Sequence, residues 1–325
     1  MDRPRHRPSS RRGRHRARWR PCVSLAFAER PMESLTAPPA RAPLLIGENL
    51  GLRYGLHGSS YGGSHGGSRG GSAAQVIDAV VGVSLTLAEG EILAIVGANG
   101  CGKSSLLRVL ACLETAPRAS GRVEYREIRT SSRSVAHRLA AVRALVPQRP
   151  EATAALTARQ VVRLGRFSVG PDESAVDRAL GDVGLLARAE LPVNTLSGGE
   201  RQRIAIARAF AQLDRGGVGG GVLLLDEPFS GIDPGEVARI VTALRMRARA
   251  GAVVLTSHDP GLARAIATHA MVMKEGRAIA FGAAGEVLSA KLLSEAYRSP
   301  MREVGDWIVP DLTASQSTER GRMRS

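Results

Sequence analysis

Aromatic residues make up only 3% of this 325-residue chain, so Ala, Val and Leu must fill its interior. Cysteines number three, at 22, 101 and 112. That excludes a disulfide framework and matches no metal-ligand spacing. It fits a reduced, cytoplasmic compartment. No apolar run approaches the roughly 20 residues of a membrane-spanning helix. The longest candidate, VVGVSLTLA at residues 80–88, alternates and reads as a strand. The chain is therefore expected to be soluble by itself, with any membrane role reached through a partner. Acidic residues are also in deficit, 30 against 45 Lys and Arg. With 43% hydrophobic residues, one large or two small domains can still bury a sizeable core.

The excess positive charge is uneven. Residues 1–31 hold ten Arg against Asp2 and Glu29, a net +8 of the total +15. Such a block has too little apolar content to fold, and it lacks the apolar region of a secretory signal. Residues 1–43 are read as a disordered extension, with Met32 a natural start for the folded protein. The same block could instead tether nucleic acid or acidic lipid. A Gly/Ser-rich insert at 56–74 reads as a flexible surface loop between two strands. Residues 311–325 read as a frayed tail.

Between these segments strands and helices alternate. LLIGENLGLRY (44–54), VSLTL (83–87), EILAIV (91–96) and GRVEY (121–125) have strand character. SVAHRLAAVRALVPQ (134–148) reads as a helix followed by a strand. Residues 149–200 have helical spacing and little strand signal, which predicts an inserted helical subdomain. The apolar run VLLLDEP (222–228) suits a central parallel strand. PGEVARIVTALRMRARA predicts a helix, AVVLTSH a strand, 260–268 a helix, AMVMK a strand and 286–297 a helix. DRGGVGGG (214–221) reads as a surface loop. The alternation indicates an α/β fold with a mostly parallel sheet covered on both faces.

GANGCGKS, residues 97–104, fits G-x-x-x-x-G-K-[ST] between the strand and helix that this phosphate-binding loop requires. Gly97, Gly100 and Gly102 let backbone wrap closely around phosphates, with Asn99 and Cys101 completing the loop. Backbone N–H groups at the helix start, around Ser104 and Ser105, face the anion. Lys103 reaches the β- and γ-phosphates, and the Ser104 hydroxyl can hold Mg²⁺. Cys101 is read as a small residue that fits a tight loop.

LSGGERQR, residues 196–203, follows about a hundred residues later and opens a helix. Ser197, Gly198 and Gly199, followed by Glu200, make a second anion site at a helix N-terminus. With this octet the chain resembles the ATP-binding-cassette (ABC) ATPases over roughly Leu44 to Pro310. The resemblance implies a P-loop core with an antiparallel β subdomain and an inserted helical subdomain, and ATP with Mg²⁺ as ligands. It implies a head-to-tail homodimer in which the octet of one copy touches the γ-phosphate held by Lys103 of the other. In LLLDEP, Asp226 would hold Mg²⁺ through water and Glu227 would be the general base. Gln148 would be the switch glutamine at the metal, and His258 would contact the γ-phosphate. Asp233 in SGIDP would lie in the loop that passes between subunits, where Gly231 and Ile232 depart from the usual residues. Tyr54 would stack on adenine, with Tyr61 in the insert as competitor.

VPQRPEATAALTARQVVRLGRF and the segment from Ser257 to Met301 are similar to ATPases of importers for iron chelates, haem and cobalamin. Partners implied are a membrane permease pair and, indirectly, an extracytoplasmic substrate-binding protein. The chain would then be cytoplasmic, held at the inner face of the membrane through its permease. Two other readings are an exporter ATPase and a nucleic-acid ATPase of the cassette type. The latter usually carries long coiled coils or two cassettes, and neither fits here.

Overall fold

The structure, a computed structural model, describes residues 42–56, 75–126, 128, 135–150, 156–305 and 307–312. The Arg-rich head, most of the Gly/Ser insert with Tyr61, and the tail after 312 lie outside these residues. Strands β1 (Pro43–Leu56) and β2 (Gln75–Ala88) pair antiparallel. Strand β3 (Ile92–Val96) leads through the phosphate loop into α1 (Lys103–Leu110). Strand β4 (Ala119–Tyr125) returns to pair with β1, giving an antiparallel sheet ordered β2-β1-β4.

Helix α2 (Val135–Val142) runs directly into β5 (Arg143–Val146). The helical segment follows, with α3 (Ala158–Leu164), a 3-10 turn at Gly165–Ser168, and α4 (Glu173–Asp182). Each helix has a side-chain cap. Thr157 and Gln160 form a capping box on α3, and Asp172 accepts from the Ala175 N–H at 3.0 Å on α4. Two further 3-10 turns lead to α5 (Gly198–Leu213). Helix α5 does not stop with the helical segment. Near its far end Gln212 donates to the carbonyls of Ala140 and Arg143, at 2.7 and 2.9 Å, tying it to the sheet.

The stretch expected as a surface loop at 214–221 contains a two-residue hairpin, β6 (Asp214–Arg215) with β7 (Val218–Gly219). Its anchor is Asp214, 3% exposed and held by two bonds from Arg178 at 2.8 and 3.1 Å. Burial alone would push the Asp214 carboxyl up. The Arg178 guanidinium and the Gly217 N–H outweigh it and hold the carboxyl below its ordinary value. The core then resumes with β8 (Gly221–Leu225), α6 (Pro234–Ala248), β9 (Gly251–Ser257), α7 (Pro260–Ile266), β10 (His269–Lys274) and β11 (Arg277–Ala283). Helices α8 (Ala284–Val287) and α9 (Ala290–Tyr297) and the hairpin β12 (Met301–Val304) with β13 (Trp307–Pro310) complete it. Sequence periodicity did not show β11 or the last hairpin.

The main sheet is ordered β11-β10-β3-β9-β8-β5, parallel except at the β11 edge. Successive residues of its inner strands point to opposite faces, as the strand period demands. Ile92, Ala94 and Val96 enter one core with α3 to α8, while Leu93 and Ile95 enter another with α1 and the antiparallel sheet. Both faces are therefore covered, which is why β3 and β9 are buried at every position. No helix among the described residues is long and apolar enough to cross a membrane.

Candidate functional site: a phosphate-loop cleft at the strand ends

Parallel register decides which loops meet. Val96 lies beside Ser257, Leu225 beside Leu255, and Val146 beside Leu225. The chain leaves all four strands, β3, β9, β8 and β5, at the same carboxyl edge. The residues that follow them are Gly97, His258, Asp226 with Glu227, and Gln148. Ligands of open α/β sheets bind at this edge. A cleft of about 630 Å³ lies there. Asn99, Gly100, Gly102, Lys103, Ser104 and Ser105 line it from the phosphate loop, and Gln148, Glu227 and His258 line it from the other three loops.

The loop glycines are required by geometry. Gly97, Gly100 and Gly102 have φ of 150°, 78° and 105°, which side-chain-bearing residues rarely adopt. A Cβ on Gly97 would come within 2.3 Å of the Met273 carbonyl oxygen, and one on Gly102 within 2.2 Å of that of Ala79. Lys103 is 5% exposed, and its ammonium donates to the Gly97 and Ala98 carbonyls at 2.8 and 3.2 Å. Cys101 is buried, and desolvation raises its thiol despite the neighbouring Lys103. A protonated, enclosed thiol is unreactive. That agrees with the packing role expected of it.

Beyond the loop, one buried hydroxyl organises the two carboxylates. Thr256, fully buried on β9, donates to Asp226 Oδ1 at 2.6 Å. The Thr256 hydroxyl oxygen in turn accepts the Glu227 N–H at 2.8 Å. Glu227 has φ of 45°, a left-handed conformation unfavourable for glutamate. The Thr256 bond helps hold it there. Glu227 Oε2 accepts from Gln148 Nε2 at 2.8 Å and lies 3.7 Å from His258 Nδ1. Asp226, Glu227, Gln148 and His258 are thus brought to one point. Sequence reading missed Thr256, because a threonine in a strand carries no motif.

The octet lies elsewhere. None of Ser197, Gly198, Gly199 and Glu200 lines this cleft. Ser197 caps α5, its hydroxyl accepting the Glu200 N–H at 3.2 Å while its own N–H donates to Glu200 Oε2 at 2.8 Å. The Ser197 N–H holds the Glu200 carboxyl below its ordinary range, against the opposing effect of burial. Gly199 packs on the SGIDP loop: a Cβ there would sit 2.5 Å from the Gly231 carbonyl oxygen. Ser197 and Gly198 are exposed, and Asp233 opens α6 without a side-chain cap bond.

Tyr54 is not brought to the cleft either. It is half-buried on β1 against the core, with Arg108 as a polar neighbour. Its cross-strand partner Ile77 lines the cleft instead, with Asp78 and Ala79 of β2 and with Glu275 and Gly276 from the β10–β11 turn. These residues carry no motif, and only the pairing of β2 and β10 around the loop places them.

Residues 80–230 match the family described as ABC transporter. The hemin import ATP-binding protein HmuV of Streptomyces coelicolor is 38% identical over 227 residues, covering 68% of this chain and 78% of that protein. The achromobactin transport ATP-binding protein CbrD of Dickeya dadantii is 33% identical over 240 residues, covering 70% and 84%. A dimeric ATP-binding cassette, solved in a post-hydrolysis state with ADP and Pi, shares the fold. Its TM-score is 0.60 at 24% identity, with 74% of this chain and 98% of that one covered. With the phosphate loop, the paired carboxylates and the octet all in place on this fold, the chain belongs to the ABC transporter family and is one of its ATPases.

Proposed function

We propose that this chain is the ATP-hydrolysing subunit of an ABC importer for an iron chelate such as haem or a siderophore. It would work as a head-to-tail homodimer against a membrane permease pair. The observation that supports the dimer most is the division of the motifs. One chain gathers Lys103, Ser104, Gln148, Glu227 and His258 at one cleft, with Asp226 buried beside them, and leaves Ser197 and Gly198 exposed elsewhere with Gly199 packed on the Gly231 carbonyl. A second copy, turned head to tail, supplies the octet that would close on the γ-phosphate. The substrate class rests on relatives named for hemin import and achromobactin transport.

In this reading Glu227 orients and deprotonates the attacking water, and His258 contacts the γ-phosphate. Gln148, bonded to Glu227, links the site to the segment beyond it. Phosphoryl transfer depends on such positioning and charge neutralisation. Mg²⁺ fits the donor set. The Ser104 hydroxyl, the Gln148 amide and the Asp226 carboxylate are hard oxygen donors, and Mg²⁺ characteristically takes few protein ligands beside phosphate and water. When bound, it would neutralise charge on the β- and γ-oxygens. Thr256 fixes the Asp226 carboxylate for that role.

The permease would meet the helical segment. Phe167 is 90% exposed and Leu164 52%, beside a groove also lined by Leu156, Gln160 and Arg163. An apolar surface of this kind marks a contact site. Residues 151–155, which connect it to Gln148, lie outside the described residues.

Glu227→Gln tests the reading. Loss of a general base is expected to slow hydrolysis by about 10²–10⁴-fold while MgATP still binds. The variant should then accumulate as an ATP-bound dimer in sedimentation. Hydrolysis at the parent rate would refute the assignment of Glu227.

A further inference from the structure

The most connected group near the cleft that the proposed chemistry does not use is a tyrosine at the end of α9. Tyr297 is half-buried, and the left-handed Arg298 (φ 53°) ends the helix immediately after it. Its hydroxyl donates to the His258 carbonyl at 3.3 Å. The backbone of Gly97, the first residue of the phosphate loop, also draws the phenol down, against the larger effect of burial. Burial dominates and pushes the phenol up to about 12, so the hydroxyl keeps its proton and can donate to the His258 carbonyl. Gly97 and His258 follow adjacent strands, β3 and β9, and the hydroxyl of a distant helix reaches this edge at His258.

The His258 side chain is 61% exposed. The next residue, Asp259, is held locally: its N–H donates to Ser257 Oγ at 3.0 Å, and its carboxylate caps α7 at the Leu262 N–H at 3.0 Å. On the far side Trp307 of β13 packs on α7 so closely that a Cβ on Gly261 would lie 2.4 Å from its ring. The C-terminal elements therefore grip this turn from two directions, through Tyr297 before α7 and Trp307 upon it.

We infer that Tyr297 is a positioning residue for hydrolysis, its hydroxyl fixing the His258 turn to α9. This rests on the reading of His258 as a γ-phosphate contact. The bond acts at the backbone of His258, so it sets where the imidazole stands and not its charge.

The test is Tyr297→Phe in the full-length chain, which keeps the ring and removes only the oxygen. Loss of one neutral hydrogen-bonding group is expected to lower kcat for ATP by about three- to tenfold. KM and the thermal midpoint should stay close to those of the parent. The deciding comparison is a double-mutant cycle with His258→Ala. If Tyr297 acts through His258, Tyr297→Phe lowers kcat no further in the His258→Ala background. An unchanged kcat in the single variant overturns the inference. So does a parallel loss of kcat, KM and thermal midpoint, or a full additive effect in the double variant. If His258→Ala itself hydrolyses at the parent rate, the reading of His258 fails and the inference falls with it. If only Tyr297→Phe is silent, the reading of His258 stands and the inference alone fails.

Discussion

Two regions of this molecule pair glycines with a helix N-terminus, and they differ in how much one chain provides around them. The cleft at the strand ends is assembled within the chain. It has the loop glycines, the buried Lys103, the Thr256-held carboxylates and the His258 turn, all gathered by the register of β5, β8, β9 and β3. The start of α5 has a helix N-terminus, two glycines and a capping serine, and its one first-turn acid, Glu200, is taken up by the cap and by Arg188. Helix geometry leaves the first N–H groups there without intrahelical partners. In the proposed function the first region serves chemistry and the second recognition. Such a division makes sense if the second region serves a cleft on another copy.

The comparison can be broken most severely at the cleft. Beyond the loss expected for Glu227→Gln, Thr256→Val removes the hydroxyl shared by Asp226 and Glu227. It leaves a buried carboxylate and a buried N–H without that partner. Urea unfolding should show a loss of about 1–3 kcal/mol, with slower hydrolysis. Parent-like values in both would mean that the carboxylates are held by other contacts.

At the octet the expected effects are smaller. Ser197→Ala removes the cap of α5 and should cost about 1 kcal/mol in the same assay. Its pH dependence follows from Glu200, whose carboxyl is held below its ordinary value by the Ser197 N–H. A depressed carboxyl contributes stability that is present above its unfolded pKa and lost as pH falls through its folded one. Replacing Glu200 by Gln should therefore lower stability at neutral pH and flatten the acid limb of the stability profile. An unaltered acid limb would show that the capping box is not what Glu200 stabilises.

The smallest effect concerns the base-binding end of the cleft. Ile77→Ser should weaken ATP binding by up to about 1 kcal/mol, as loss of apolar contact implies. Tyr54→Ala should fall well short of the roughly 1–3 kcal/mol of an aromatic platform. Fluorescent-nucleotide titration separates them, and the reverse order would return the stacking role to Tyr54.

Much of this was legible in the sequence because its motifs sit next to the strands that place them. Gly97–Ser104, Asp226–Glu227 and His258 each follow an apolar run that had to be a buried strand, so alternation of elements put them at one edge. Thr256, Ile77 and Glu275 were illegible for a shared reason: each acts through a neighbour fixed by sheet pairing, and its residue type is ordinary for its element. The hairpin at 214–219 depends on Arg178, 36 residues away, and glycine spacing could not reveal that ion pair. Strand character alone could not say which member of the cross-strand pair Tyr54 and Ile77 lines the cleft.

The most direct test of the two-copy account mixes two inactive full-length variants, Lys103→Ala and Gly198→Glu. Gly198 is exposed with open space around it, so the glutamate fits the fold and places a carboxylate where phosphate would dock. Each variant alone should be inactive, since every composite site would lack either its lysine or its octet. Mixed, some dimers pair an intact Lys103 with an intact octet from the other copy, and steady-state ATP hydrolysis should reappear. A mixture that stays inactive while both variants remain folded and dimerise with each other would contradict the account.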